Sequence, residues 1–259
     1  AIYDKAKSEN NAAQTVKAVF YLYKYSAYTE ENSEQKIVDS LKMEIAAAKY
    51  PLQPVLQSVL ADVYWQYFQQ NRYRILNRTE VKQQDLPDYQ TWDANRFTLE
   101  ITQLYLASLS NAEQLKQTPV DVYDAVLVKA QGARPLRPTL YDLLAHRAYD
   151  YFANDQANIT KAADQFTLST PDAFAPANVF AAATFTNTDA LSVKYHALTI
   201  LQQLLNLHLQ SGNIPALIDA DLKRLSFVRQ TSVLPDKEER YFKSLLNLEK
   251  QYIADTASA

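Results

Sequence analysis

The sequence of 259 residues contains no cysteine and only two glycines. Without cysteine there is no disulfide, no thiolate metal site and no cysteine nucleophile. The isolated Gly132 and Gly212 exclude a Walker loop, a dinucleotide fingerprint and a nucleophile elbow, because each of these needs several glycines close together. Folds of strands and tight turns also need glycine at positive φ. The shortage therefore predicts an all-α fold.

Long apolar runs and long basic runs are also missing. No apolar run approaches the roughly 20 residues that a membrane-spanning helix needs, so we predict no transmembrane segment. The 26 basic and 29 acidic residues give a net charge of −3 and no basic footprint, so nucleic acid is not an expected partner. Because the sequence begins with Ala1, we expect any targeting peptide or lipid-anchor cysteine to have been removed upstream.

Histidine is scarce, with three in the whole sequence. None of His146, His196 and His208 has a second histidine four residues on, and there is no H-E-x-x-H motif, so a zinc site is not expected. We interpret the three as packed or helix-surface side chains. The sequence thus indicates no metal, no cofactor and no enzymatic activity.

Acidic residues also lack a catalytic or ligating arrangement. The acidic loop of Glu80, Asp85, Asp88 and Asp93 has no D-x-D-x-D-G spacing, so solvated loop charges are favoured over a Ca²⁺ site. Asp219 and Asp221 lie two apart on a predicted helix and diverge, so they do not form an acid and base pair. We expect both to face solvent or to lie beside a helix cap.

The most informative stretch runs from Pro51 to Arg78. Its apolar residues recur at steps of three and four, which places them on one wide, aromatic side of a helix. Prolines at its start suit the first helical turn, whose N–H groups have no intrahelical partner. The pattern returns 84 positions later, where the matching residues are Pro54 and Pro138, Leu56 and Leu140, Leu60 and Leu144, Ala61 and Ala145, Tyr67 and Tyr151, and Phe68 and Phe152.

Similar periodicity predicts helices along the rest of the chain. Ser33 and Asp93 are predicted N-caps and Gly212 a C-terminal cap. The loop 79–91 is expected to be held to the body by Trp92, and Gly132, Pro135 and Pro138 to form an extended link. The further predicted helices cover 2–27, 33–48, 94–109, 120–129, 139–154, 189–211, 216–230 and 236–252.

These helices predict antiparallel hairpins stacked as a TPR-like α-solenoid, because each helix has one apolar face to bury. A less regular insertion at 155–187 is expected to hold extended segments and one short strand. The predicted division is an N-terminal array, 1–154, an irregular segment, 155–188, and C-terminal helices, 189–259, that continue the array. The tail, 254–259, has no apolar pattern, so the array is expected to continue beyond it.

A polar cluster beside aromatic residues is the candidate partner-binding site. Its members share the end of the Pro51 helix, and they are Tyr67, Asn71, Arg72, Tyr73, Arg74, Asn77 and Arg78. Such a cluster can hold a carboxylate partner or a ligand. The alternative is a structural role that fixes the long loop to the helix.

The 18 tyrosines leave a second kind of binding open. Aromatic rows bind sugars or peptides by stacking and burial. At helical spacing, however, tyrosine is more often part of a core.

Three segments resemble one known family. YWQYFQQNRYRILNRT, RPTLYDLLAHRAYDYF and ALIDADLKRLSFVRQTSVLPDKEERYFKSLLNLEKQY are similar to the N-terminal helical region of Bacteroidetes-type alpha-2-macroglobulin family proteins. The resemblance implies a fragment of a much longer, secreted or lipid-anchored envelope protein whose later domains trap proteases. Lacking cysteine, this chain cannot form that family's thioester.

Two functions follow from these observations, and both are favoured over a third, an enzyme of unrecognised helical type, which needs convergent polar residues that periodicity does not reveal. The first is a non-catalytic scaffold or interaction module that binds downstream domains of its own parent chain or another envelope protein. The second is a free-standing TPR-like envelope protein that binds a ligand or glycan. The mass of the native protein separates the two.

Overall fold

The computed structural model describes residues 2–29, 33–78, 88–128, 130–159 and 166–253. Within these ranges the chain is helical and has no named strand, which confirms the predicted all-α class. None of the helices in this part of the chain is long and apolar enough to cross a membrane. The predicted acidic loop at Glu80 and Asp85 and the tail 254–259 lie outside the described residues.

The chain forms two compact units. The first runs to Ala130 and takes in Thr139–Leu144, and the second consists of Gln131–Pro138 and the chain from Ala145 onward. The domain division proposed from the sequence stays a prediction. The helices before the second unit are α1 (Ile2–Ser8), α2 (Ala12–Thr29), α3 (Ser33–Ala47), α4 (Leu52–Gln70), α5 (Arg72–Leu76), α6 (Ala94–Ser108) and α7 (Ala112–Gln117).

In the first unit, sequential helices contact each other: α1 packs on α2, α2 on α3, α3 on α4, and α4 on α6. The helix predicted for 2–27 is two helices, because Asn10 adopts a positive φ of 53°, a conformation that ends a regular helix. The Pro51 stretch is likewise interrupted at Asn71, which lies between α4 and α5.

An aromatic cluster forms the core of this unit. Tyr64 and Phe68 of α4 are fully buried, and the ring of Trp92 lies 5.0 Å from that of Tyr64 and 5.4 Å from that of Phe97 on α6. Trp92 is thus buried in the body, as the anchoring prediction requires, whereas residues 79–87 of the loop lie outside the described part. Asp93 begins α6 as predicted, since its carboxylate accepts a hydrogen bond from the N–H of Arg96 at 2.8 Å.

Two local predictions between residues 118 and 138 are wrong. The region after Pro119 is a 3-10 turn, Val120–Tyr123, followed by further turns, instead of a helix to 129. The Tyr123 ring is buried there, and its hydroxyl donates to the carbonyl of Pro51 at 2.8 Å. The supposed extended link contains the helical turn α8 (Ala133–Leu136), which Gly132 precedes at a φ of 74°.

The second unit contains the remaining helices, which are most of α9 (Leu140–Phe152), α10 (Ala177–Ala182), α11 (Val193–Ser211), α12 (Ile214–Thr231) and α13 (Lys237–Gln251). α10 packs on α11, α11 on α12, and α12 on α13. Gly212 ends α11 in the left-handed conformation, as predicted. α11 begins four residues later than predicted, because the Ser192 hydroxyl caps it at the N–H of Tyr195.

The predicted irregular insertion contains short 3-10 turns, Asp155–Ala157 and Pro171–Phe174, as well as α10. In place of the expected strand, its described residues make a single parallel bridge between Leu168 and Ser232. Residues 160–165 lie outside the described part.

The repeated helix pattern corresponds to α4 and α9. At all five matched apolar positions both members are buried, and no residue among them exceeds 8% exposure. Thr139 and Asp142 cap α9 reciprocally: the Asp142 carboxylate accepts from the Thr139 N–H at 2.9 Å, and the Thr139 hydroxyl accepts from the Asp142 N–H at 3.2 Å. This is the arrangement of a capping box.

Candidate functional site

The predicted polar cluster surrounds the break between α4 and α5. The Tyr67 ring is buried, and its hydroxyl accepts a hydrogen bond from the Arg74 guanidinium at 2.8 Å. The same guanidinium donates to the side-chain oxygen of Asn71 at 3.0 Å. The Asn71 amide donates to the Tyr67 carbonyl at 3.0 Å. These three side chains therefore satisfy one another at the end of α4.

The other four members spread over the following turns. Arg72 lies with its guanidinium 5.5 Å from the centre of the Phe68 ring, and the Asn77 amide donates to the Tyr73 carbonyl at 2.8 Å. Tyr73 itself is 86% exposed. Only some of the seven side chains are thus brought together.

Arg78 connects this cluster to the far end of the long loop. Its guanidinium donates to the backbone carbonyl of Trp92 at 2.6 Å, a charge-assisted hydrogen bond to a residue whose ring is buried. This hydrogen bond is the kind of contact expected if the cluster fixes the long loop to the helix. Partner binding by the seven residues stays a prediction.

A different surface, which the sequence did not indicate, exposes more apolar area. We define the N-terminal face as Ile2, Tyr3, Tyr21, Leu22, Tyr25 and Met43. Five of these side chains are between 49% and 74% exposed, with Tyr3 less so. Sequence reasoning missed the face because the apolar residues of α2 surround the helix, so periodicity gives no exposed side.

Two grooves meet at this face. A groove of about 720 Å³ is lined by Ile2 on α1 and by Tyr21 and Tyr25 on α2. A second groove of about 560 Å³ lies between α2 and α3 and is lined by Val19 and Met43. Tyr3 and Leu22 line both grooves and so lie between them, and we call this pair the ridge.

The rings of Tyr21 and Tyr25 lie one helical turn apart. Their centroids are 6.4 Å apart, and the ring planes are within 21° of parallel. They form an exposed aromatic platform beside Asp4, Gln14 and Lys17, which also line the larger groove.

A polar contact between α1 and α3 holds the face in place. The Tyr3 hydroxyl donates to the Glu44 carboxylate, and the Lys7 ammonium donates to Tyr3 at 3.0 Å and to Glu44 at 3.1 Å. Burial and the neighbouring Glu44 carboxylate raise the pKa of Tyr3. The tyrosine therefore remains a neutral donor at physiological pH.

The second unit buries two polar groups, His146 and the pair of Asp221 and Arg224. His146 is 2% exposed, and its Nδ1 lies 3.2 Å from the Lys223 ammonium. Burial and the cationic Lys223 and Arg137 lower the pKa of His146 to about 2. The imidazole is therefore neutral and accepts a hydrogen bond from lysine.

The expectation that Asp221 faces solvent or flanks a cap is wrong. Asp221 is 3% exposed, and its Oδ1 accepts from the Arg224 guanidinium at 2.9 and 2.6 Å. Arg224 is 1% exposed and also donates to the carbonyls of Ala173 and Ala175 at 2.7 and 2.9 Å. The spacing of three residues was a usable signal, since it places an acid and a base on one side of a helix.

The described residues contain no group of three or more histidine, aspartate or glutamate side chains that could hold a metal ion. The arrangement that these residues do offer is an exposed apolar surface with grooves, which suits non-covalent association.

Comparison with known proteins identifies no relative: no family model, no curated protein and no solved structure matches this chain.

Proposed function

We propose that this chain is a non-catalytic helical scaffold and protein-interaction module, and that it belongs to the N-terminal region of a large alpha-2-macroglobulin-like protein of the bacterial cell envelope. In this proposal the other domains of the parent protein trap or inhibit proteases. The chain contributes a TPR-like array of stacked helical hairpins. Its partners are downstream domains of the parent or another envelope protein.

The observation that carries the interaction role is the N-terminal face. Single exposed apolar side chains are normal on soluble proteins, whereas contiguous patches mark binding surfaces. Here the ridge of Tyr3 and Leu22 separates two grooves, each lined by a further exposed apolar side chain. Grooves of this kind accept an apolar helix or a complementary protein surface.

The contacts between sequential helices support the scaffold role. In each unit, successive helices share a core, as in an array of hairpins. The two copies of the buried pattern on α4 and α9 add an internal repetition of the same helix type. The family assignment rests on the resemblance of the three quoted segments.

The mass of the native protein tests the proposal. An antibody raised against this chain is used to probe the envelope fraction of the source bacterium. We expect a band far above 29.5 kDa, the mass of the 259 residues. A band near 29.5 kDa, or absence from the envelope fraction, contradicts the proposal.

One observation favours the second candidate, a free-standing ligand- or glycan-binding envelope protein. Tyr21 and Tyr25 present nearly parallel exposed rings beside polar side chains, and such platforms stack against flat apolar ligand faces. A native mass near 29.5 kDa, with oligosaccharide-dependent tyrosine fluorescence that Tyr21→Ala and Tyr25→Ala abolish, is the result expected from this candidate.

A further inference from the structure

We propose that the N-terminal face is a self-association surface and that its occupant is a second copy of this chain, related by a two-fold axis. The proposal rests on the interaction role proposed above and takes the partner of this face to be a second copy of the same envelope protein, so that any docking of downstream domains uses other surfaces. It is carried by three properties of the face, which are its shape, its charge and its area.

The shape of the face permits self-complementary packing. Tyr3 and Leu22 form a ridge that has a groove on each side, of about 720 and 560 Å³. In a two-fold interface the same patch lies on both partners, so a surface must present both a protrusion and a recess. A ridge beside a groove meets this requirement, because the ridge of each copy enters a groove of the other, as in helix packing.

The charges around the face are balanced. The larger groove is lined by Asp4 and Lys17, and the smaller groove by Lys36 and Asp39. Lys7 and Glu44 add one charge of each sign and pair with each other at 3.1 Å. A face of one sign repels its own copy, whereas a face with equal numbers of both signs permits opposite charges to meet across the axis. The face therefore has no net charge that would attract a strongly acidic or a strongly basic partner.

The exposed area agrees with the size of a dimer interface. The five most exposed side chains of the face, at 49% to 74% exposure, present roughly 450–750 Å² of mostly apolar surface if each has a total area of roughly 150–250 Å². A standard interface buries about 800 Å² per partner, of which roughly 60% is apolar. The face therefore supplies about the apolar area that one side of such an interface contains.

Light scattering coupled to size-exclusion chromatography tests the proposal on the 259-residue chain. Over loading concentrations of about 1–100 μM, we expect the measured mass to approach twice 29.5 kDa. The test variant carries Leu22→Lys and Tyr25→Lys, which leave good helix formers in α2 and place like charges across the axis. We expect its dissociation constant to rise roughly a hundredfold or more.

A matched control changes two other exposed apolar residues, one helical turn apart on α13. Phe242 and Leu246 are 63% and 37% exposed, and the variant Phe242→Lys with Leu246→Lys is expected to keep the dimer. Far-UV circular dichroism confirms that both variants are folded. A monomer at every concentration overturns the proposal, as does a dimer that the changes on α2 leave intact. The proposed function is tested by the mass of the native protein, which neither of these results changes. Self-association can therefore be disproved while the proposed function stands.

Discussion

Arg224 shows how one residue can organise its surroundings. Its guanidinium binds Asp221 on the same helix and the carbonyls of Ala173 and Ala175. The Phe180 ring centre lies 4.9 Å from the guanidinium carbon. Because every partner is buried or partly buried, removing the cation leaves a carboxylate and two carbonyls without their donor.

We expect Arg224→Ala to lower the free energy of unfolding by about 3–5 kcal/mol, the usual cost of breaking a buried ion pair. Urea denaturation measures this change. Arg229→Ala is the control, because its ion pair with Glu238 is exposed, and we expect it to be close to neutral. The paired change Asp221→Leu with Arg224→Met is expected to keep more stability than Arg224→Ala alone. A loss below 1 kcal/mol for Arg224→Ala contradicts this account.

The buried imidazole of His146 makes stability depend on pH. Its pKa is about 2 in the folded chain and about 6.5 in an unfolded chain. Since the folded pKa is the lower of the two, the contribution of His146 is present above about pH 6.5 and is lost as the pH falls below it. For one such group the loss between pH 7 and pH 5 is about 2 kcal/mol.

The substitution His146→Gln isolates this contribution from those of other groups. Glutamine keeps a neutral acceptor for the Lys223 ammonium but does not titrate. Urea unfolding is measured for both proteins at pH 7 and pH 5, and we expect the parent chain to lose about 2 kcal/mol more than the variant. Equal losses in the two proteins show that the histidine takes up a proton in the folded state.

At the scale of helices and turns, the long apolar patterns predicted most of the fold. α4, α6, α11 and α12 form where periodicity of three and four placed them, because burial of one face decides their position. The predictions fail where a single backbone conformation or a single capping side chain sets the end of a helix. Asn10 interrupts the first helix, and Ser192 begins α11. Neither is visible in hydrophobic periodicity.

The turn after Pro119 shows the same limit. Val120 and Tyr123 have helical spacing, but the Tyr123 hydroxyl bonds to the carbonyl of Pro51, 72 residues earlier. This distant contact favours a 3-10 turn over a regular helix. The N-terminal face escaped sequence reasoning for a related reason. Which side of α2 stays exposed depends on where α1 and α3 pack, and no local pattern records it.

The segment after α4 yields a prediction about the candidate polar cluster. Arg78→Ala removes the hydrogen bond to the Trp92 carbonyl, and we expect it to cost about 1–2 kcal/mol of unfolding free energy in urea denaturation. Tyr73→Ala, at an 86% exposed side chain, is expected to change stability by less than about 0.5 kcal/mol. If both variants are equally stable, the Arg78 bond does not fix the loop.

At the scale of the whole molecule, the two units exchange short stretches of chain. Thr139–Leu144 belongs to the first unit, although the preceding Gln131–Pro138 belongs to the second. Pro119 and Thr139 form a β-bridge, and the Leu140 N–H donates to the Thr118 carbonyl at 2.8 Å. Leu140 and Tyr141 are fully buried. The first unit is therefore incomplete without residues beyond 138.

Truncation tests whether the first unit needs the stretch Thr139–Leu144. A fragment of residues 1–154 retains the returning stretch, whereas a fragment of residues 1–130 lacks it. We expect the shorter fragment to lose at least about 4 kcal/mol, because two large buried side chains are absent. Urea unfolding followed by circular dichroism compares the two. Equal stability of the fragments shows that the returning stretch is dispensable.

The exchanged stretches also constrain the order of events during synthesis. A growing chain folds its N-terminal unit first, as soon as the residues of that unit are available. Here the first unit is still incomplete when Ala130 has been added, because Thr139–Leu144 belongs to it. We expect it to reach its full stability only after Leu144 has left the ribosome, and by then eight residues that belong to the second unit, Gln131–Pro138, have already emerged without their partners. During synthesis we therefore expect Gln131–Pro138 to lack the contacts of its own unit while the first unit takes in Thr139–Leu144.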